Sequence, residues 1–268
     1  MARACEVGTT PYGTTLLGQP IAVVRKADSG VACFTAHQCV AHIGLIWVAL
    51  EEPVAPLPSF PEFDDDTFHT IVCPSYDWDC HASRRLENFL DFAHFAWVHP
   101  GTKGDREFPE VSNQEVWREG DEVRVRQPRP EPRDDPEKTG GPADDDQPTD
   151  DGRVMSTMHY RGYPPLAAQL HQELPGGRAY AVFLAASPLD GHTTRTFWHV
   201  ARNYGFEQPD SEFVQFQLDM VESDRPIVES QRPGAIPTDV TAELHATDDN
   251  VTLQWRRLLR ELVERALL

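Results

Sequence analysis

The sequence predicts an α+β protein in which a curved antiparallel sheet wraps against a long C-terminal helix. Three observations predict it. Between residues 115 and 201, short runs rich in Val, Phe, Tyr, Trp and Thr are separated by turn residues, the pattern of consecutive antiparallel strands. Over residues 251–266, Val251, Trp255, Leu258, Leu259, Leu262, Val263 and Ala266 recur at three- and four-residue spacing, with Arg256, Arg257, Arg260, Glu261 and Glu264 on the opposite side. At 268 residues the chain holds one large domain, or a large domain with a small appendage, and either buries an adequate core. Sheet against helix buries the apolar stripe and leaves a cavity beneath it.

The elements follow in order. Residues 21–25 and 31–34 read as a hairpin across the Ala27-Asp28-Ser29-Gly30 turn, and 42–50 as a further apolar strand. Pro53, Pro56, Pro58 and Pro61 then form a semi-rigid connector, which places a boundary near residue 55. Residues 1–55 are one region on this reading and 56–268 the main domain. A short strand over 68–73 precedes a helix over 82–98, which is rich in Leu, Phe, Ala, Arg and Glu and ends at Pro100. Strands are expected over 115–118, 122–126, 154–160, 166–172, 179–187 and 194–201. Residues 212–222 read as a helix and 240–244 as a strand before the terminal helix.

Net charge is −19, and no basic face is set apart, which argues against a nucleic-acid partner. Over 131–151 acidic residues outnumber basic ones nine to two among four prolines. Residues 129–152 therefore read as a mobile acidic loop that cannot bury enough apolar surface to order itself. No apolar run reaches the roughly 20 residues that cross a bilayer, and the first residues lack an apolar secretory core. The five cysteines, Cys5, Cys33, Cys39, Cys73 and Cys80, are odd in number and irregularly spaced. A reduced, cytoplasmic location with no membrane partner is the expectation.

The informative segment is 87–100, Glu-Asn-Phe-Leu-Asp-Phe-Ala-His-Phe-Ala-Trp-Val-His-Pro. His94 and His99 lie five apart, and on a regular helix their side chains diverge by about 140°. Pro100 pushes His99 out of helical torsions and lets its ring turn back. Asn88, Asp91 and His94 step by three along one side of the expected helix. On the residues alone, Asp91 and His94 satisfying each other inside a core is an equal reading. Asp224 shifts the balance. Phe213, Phe216, Met220 and Ile227 mark an apolar face on the later helix, and Asp224 falls on it, where a lone carboxylate is costly to bury. Pro226 disturbs the helix beside it. Two imidazoles and one carboxylate are the facial donor set suited to iron(II), with three positions left open. Asp224 as a cap or surface charge is the alternative.

This segment resembles the N-x-x-D-x-x-H-x4-H motif of the oxygenase (alpha) subunits of Rieske-type non-haem iron oxygenases. Residues 223–231, Ser-Asp-Arg-Pro-Ile-Val-Glu-Ser-Gln, are similar to the segment carrying that family's third ligand. Gly44-Leu45-Ile46-Trp47-Val48, Ala186-Ser187-Pro188, Thr196-Phe197-Trp198 and Ala201-Arg202-Asn203-Tyr204 resemble strands of its vanillate O-demethylase-like branch. The resemblance implies a helix-grip (START-like) catalytic domain preceded by a Rieske-like β region. It implies a mononuclear iron(II) bound by His94, His99 and Asp224. Asp91 would be the carboxylate through which an electron arrives from a neighbouring subunit, and Asn88 a polar residue beside the metal. It implies a homotrimer, a ferredoxin or flavin reductase as electron donor, dioxygen, and an aromatic or other apolar ring substrate to be hydroxylated or O-demethylated.

One family feature is missing. A Rieske [2Fe-2S] cluster needs Cys-x-His and Cys-x-x-His on two loops. Here the hairpin passes through Cys33, His37, Cys39 and His42 directly into the Gly44-Leu45-Ile46-Trp47 strand, so the β region reads as a truncated remnant without the cluster motif. The spacing of those four residues fits no common zinc pattern. Two other readings therefore stand beside the oxygenase: a non-enzymatic module that binds apolar ligands in the same cavity, and a partial chain that is inactive without its cluster domain. Phe92, Phe95, Phe183, Phe197 and Trp198 are expected either in the core or on the substrate pocket. His159, His171, His192 and His199 read as structural or surface residues.

Overall fold

The computed structural model describes all residues except 101, 105, 108, 110–113, 132–153, 238, 247 and 268. Most of the expected acidic loop, 129–152, lies outside the described residues. The α+β class holds. Two three-stranded sheets come first. One is β2 (Tyr12–Leu16), β3 (Gln19–Arg25) and β4 (Val31–Phe34) in that order; the other places β6 (Leu45–Ala49) between β1 (Ala2–Arg3) and β5 (Gln38–His42). Ala2, Val7, Ile21, Val23 and Ile46 form their shared core. The strand expected over 42–50 is β6 and begins at Leu45, because Ile43 and Gly44 both take positive φ (44° and 70°) and turn the chain from β5 into it.

The main sheet is antiparallel and has eight strands. Its path runs β7 (His69–Val72), β14 (Thr194–Arg202), β13 (Ala179–Pro188), β12 (Ala167–Glu173), β11 (Val154–Tyr163), β10 (Glu122–Glu131) and β9 (Glu115–Glu119). A short strand, β8 (Tyr76–Trp78), pairs the other end of β14. Alternation along the strands splits them between two cores. Ala181, Phe183, Ala185, Phe197 and Ala201 face one side and pack with Ile43, Leu45 and Phe60, so the proline connector is seated on the sheet. Met158, Tyr160, Leu170, Val182, Leu184, Trp198 and Val200 face the other side, which the helices cover. Phe183 and Phe197 thus lie across the sheet from the candidate site, in the core.

Four helices cover that second face: α1 (Ala82–Leu90), α2 (Phe95–Val98), α3 (Asp210–Ser230) and α4 (Asn250–Ala266). In α4, Val251, Trp255, Leu258 and Leu262 are buried as the stripe predicts, whereas Val263 and Ala266 are exposed. Gly162 of β11 leaves room for the Trp255 indole, since a Cβ there would meet the ring at 3.0 Å. Arg256, expected on the solvent side, is buried. It pairs with Glu87 of α1 at 2.5 Å and with Glu243 at 2.6 Å, and Arg84 completes the cluster by pairing with the same two glutamates. The strand expected over 240–244 is absent. Asp239 Oδ1 accepts from the backbone N–H and the hydroxyl of Thr241, which makes a turn, and Glu243 reaches inward to the arginines.

Two further departures concern the site. The helix expected over 82–98 breaks at Asp91, whose backbone is extended (φ −92°, ψ 138°) and whose Oδ1 accepts from Ala93 N–H at 3.0 Å. A side chain that satisfies the local backbone competes with the helix. Asn88, Asp91 and His94 therefore do not share one helical face. The later helix is longer than 212–222 and continues through Pro226, so that Asp224 sits well inside α3; Ile227, expected on its buried face, is half exposed.

Candidate metal centre

His94 and His99 bracket the single turn of α2. His94 precedes it with helical torsions, and His99 leaves it at φ −119° and ψ 48°, before Pro100. The backbone carbonyl of His94 accepts from Val98 N–H and that of Phe95 accepts from His99 N–H, which fixes the distance between the two imidazoles along the chain. Their ring centroids are 5.2 Å apart with planes at 71°. The carbonyl of His99 accepts from the amides of Thr102 and Gly104 and from the Thr102 hydroxyl. Gly104 packs its Cα so close to the Phe95 carbonyl that a Cβ has no room, so the return of the chain against α2 requires glycine.

α3 supplies the carboxylate. Asp224 Oδ1 lies 2.9 Å from His99 Nε2 and 3.4 Å from His94 Nε2. These approaches do not form hydrogen bonds: His94 Nε2 and Asp224 Oδ1 are buried without a hydrogen-bond partner, as is His99 Nδ1. An orphaned buried polar atom costs about 1–3 kcal/mol. A cation between two imidazole nitrogens and a carboxylate oxygen removes that cost for the two atoms that face it, so the residues present fit a divalent metal. Among the described residues this is the one group of three His, Cys, Asp or Glu side chains able to share an ion, with all donor atoms within 4.8 Å of one another.

Asp91 stands behind His94, its Oδ2 3.1 Å from Nδ1. Donation of the Nδ1 proton to that carboxylate leaves Nε2 with its lone pair toward Asp224, the tautomer a metal ligand needs. His94 and Asp224 separate two hollows. On one side is a largely apolar cavity lined by Phe89, Phe95, Met158, Tyr160, Leu184 and Trp198, which Asn88, Arg85 and Lys103 also reach. On the other is a polar cleft that holds Asp91, Glu243, His245 and Asp249 and opens to solvent beside the exposed Leu244. The cavity lies under α1, α2 and α3, and α4 contributes no lining residue, unlike the expectation that the terminal helix would roof it. Of the aromatic residues weighed from the sequence, Phe95 and Trp198 line the cavity and Phe92 packs against Tyr160 in the core.

Sequence reasoning missed Arg85 and Tyr76 on the cavity wall. Nothing in the sequence singles out Arg85 among the polar residues around it, Ser83, Arg84, Glu87 and Asn88. Cys33, His37, Cys39 and His42 do not converge: the free Cys39 thiol hydrogen-bonds that of Cys33 and burial pushes it up to about 12, His37 pairs with the exposed Glu52, and His42 hydrogen-bonds the Pro58 carbonyl. His199 is buried between the carbonyls of Ile43 and Trp198, and its burial lowers its pKa. His171 pairs with the buried Glu62 and His159 with Glu173.

Residues 78–265 match the model of the vanillate O-demethylase oxygenase C-terminal domain. The chain belongs to the Rieske-type oxygenases, in their vanillate O-demethylase-like branch, a family that uses non-haem iron. It is similar to methylxanthine N3-demethylase NdmB of Pseudomonas putida, 30% identical over 240 residues that make up 88% of this chain and 63% of that protein. The probable methylxanthine N7-demethylase NdmC of Pseudomonas sp. (strain TJI-51) is 27% identical over 97% of this chain and 91% of its own length. The structure of Pseudomonas putida CBB5 NdmA with caffeine superposes with a TM-score of 0.78 at 23% identity, covering 99% of this chain and 90% of that one. The chain thus spans about three fifths of the length of the first of these relatives and nearly all of the second. No helix is long and apolar enough to cross a membrane among the described residues.

Proposed function

We propose that this chain is the catalytic part of an oxygenase that hydroxylates or oxidatively demethylates an aromatic ring substrate, with iron(II) held by His94, His99 and Asp224. The observation that carries the reading is the convergence of three donor side chains, His99 and Asp224 buried and His94 partly so, each with an orphaned buried atom, on one wall of an apolar cavity. Iron(II) bound there supplies dioxygen activation. The chain's own residues do the rest. Asp91 holds the His94 proton on Nδ1. Phe89, Phe95, Leu184 and Trp198 exclude water and take up a flat apolar ring. Asn88 presents its side chain to the same cavity.

Demethylation of a methoxy or N-methyl group consumes one dioxygen, two electrons and two protons and releases formaldehyde, water and the demethylated ring. The electrons come from outside the substrate. Asp91 is the entry point: its side chain is about one third exposed in the polar cleft while bonded to His94, so a donor reaches it without entering the cavity. The donor is a [2Fe-2S] cluster, fed by a ferredoxin or flavin reductase. A homotrimer that presents neighbouring subunits to this cleft belongs to the same proposal.

Anaerobic reconstitution tests the site. The chain is expected to retain one iron(II), and His94→Ala or Asp224→Ala to lose it; a wild-type chain that retains none refutes the triad. Dioxygen-dependent formaldehyde release from a methylated aromatic, with a [2Fe-2S] donor and reductase supplied, tests the activity. Absence of product from iron-loaded chain across methoxybenzoates and methylxanthines would favour the binding module instead.

A further inference from the structure

Asn88, His94 and Asp224 each line both the apolar cavity and the polar cleft, so all three stand in the partition between them. His94 and Asp224 are the proposed iron ligands. Asn88 can offer the space beside them either an oxygen or an NH2 group. Arg85 decides which. It lies three residues earlier on α1, on the same side of the helix, and is 1% exposed. Its Nη1 donates to Asn88 Oδ1 at 2.8 Å. A guanidinium has no acceptor, so only the amide oxygen can face it. Nδ2 is directed elsewhere and makes no hydrogen bond among the described residues.

Arg85 is itself held in place. Its Nη2 donates to the Tyr76 hydroxyl at 2.8 Å, and the guanidinium rests 4.7 Å from the centre of the Trp78 ring. Glu87 and Glu243 are taken by Arg84 and Arg256, which leaves Arg85 to Asn88 and Tyr76. A hydrogen bond from a charged donor is roughly twice as strong as one between neutral groups, so the amide is firmly fixed. The Asn88 backbone is fixed as well, since its carbonyl accepts from Asp91 N–H where α1 ends.

A divalent cation attracts the oxygen end of an amide and repels its NH2 end. Beside iron(II), a free Asn88 would turn Oδ1 to the metal and take one of the positions that two imidazoles and a carboxylate leave open. The bond from Arg85 opposes that turn. We propose that Arg85 is a positioning residue that holds Asn88 Oδ1 off the metal, so that the open positions stay free and only the amide NH2 group faces them. This rests on the reading of His94, His99 and Asp224 as iron ligands.

Nitric oxide, a small neutral ligand for an open position on iron(II), is the probe. Full-length chain is reconstituted anaerobically. Competition with a chelator gives the iron affinity, and the electron paramagnetic resonance signal of the nitrosyl complex gives the nitric oxide affinity. Arg85→Met frees the amide and is expected to weaken nitric oxide binding at least about fivefold, while iron affinity holds or rises because an oxygen ligand is gained. Removing the amide should cancel that loss, so that Arg85→Met/Asn88→Val matches Asn88→Val within about twofold. Arg85→Lys keeps a donor for Oδ1 and should retain most of the wild-type affinity. Unchanged nitric oxide binding in Arg85→Met, a fall in both affinities, or a loss that persists without the amide overturns the inference. Asn88→Val decides by itself if circular dichroism shows that the Arg85 variants do not fold. With Arg85 in place it should bind nitric oxide no more tightly than wild type, and a rise of about fivefold would mean that the amide oxygen was already on the metal. A wild-type chain that retains no iron overturns the site reading and this inference with it.

Discussion

Asp91→Asn separates the two jobs of one carboxylate. Asp91 Oδ1 accepts from Ala93 N–H at 3.0 Å and ends α1, while Oδ2 faces His94 Nδ1 at 3.1 Å. Asparagine keeps an acceptor for Ala93 and puts an NH2 group where Oδ2 was. A donor there cannot accept the Nδ1 proton, so His94 is driven to the tautomer that protonates Nε2, the nitrogen turned toward Asp224. Loss of such a supporting partner costs about 10–100-fold in metal affinity, or roughly 1.4–2.8 kcal/mol. Stability without metal should change little, because the bond that ends α1 is kept. Asp91→Ala removes both bonds and should also lower stability by about 1 kcal/mol. Anaerobic iron(II) titration in competition with a chromophoric chelator measures the affinity, and urea unfolding of metal-free protein measures the stability. Unchanged iron affinity in Asp91→Asn would refute the assignment of His94 Nε2 as a ligand held by Asp91.

Other outcomes follow from the same geometry. Arg256→Ala leaves Glu87 and Glu243 to Arg84 alone in a buried cluster and should cost about 3 kcal/mol in urea unfolding; a loss under 1 kcal/mol would mean the cluster is solvated. Glu243 is held at about 2, below its ordinary 4.5, chiefly by its hydrogen bond from Arg84. Its stabilising contribution is complete above about pH 4.5 and fades as pH falls toward about 2, so Glu243→Gln should flatten the acid limb of a stability profile. Gly104→Ala sets a methyl group against the Phe95 carbonyl and should displace α2, lowering stability by about 1–3 kcal/mol and weakening iron binding through His99. An unchanged melting temperature in that variant would show that the loop yields freely.

The grouping of His94, His99 and Asp224 was legible in the sequence, because it depends on residue types at short range. His94 and His99 at a spacing of five before Pro100, and Asp224 among apolar neighbours, are legible from local propensity and from the cost of burying a lone carboxylate. The strand pattern and the α4 stripe were legible for the same reason, since periodicity records which face is buried. The break at Asp91 was not, because whether that side chain caps the local backbone or points outward depends on a competition that packing settles. Arg256 gave a similar misreading: as an arginine it belongs in solvent unless distant carboxylates meet it, and Glu87 and Glu243 do so only in the folded chain. Arg85 shows the point most clearly. Its sequence position says only that it is a helical arginine, and only the tertiary structure closes the cavity around it, directs Arg84 to the glutamates and leaves its charge facing the space beside the triad.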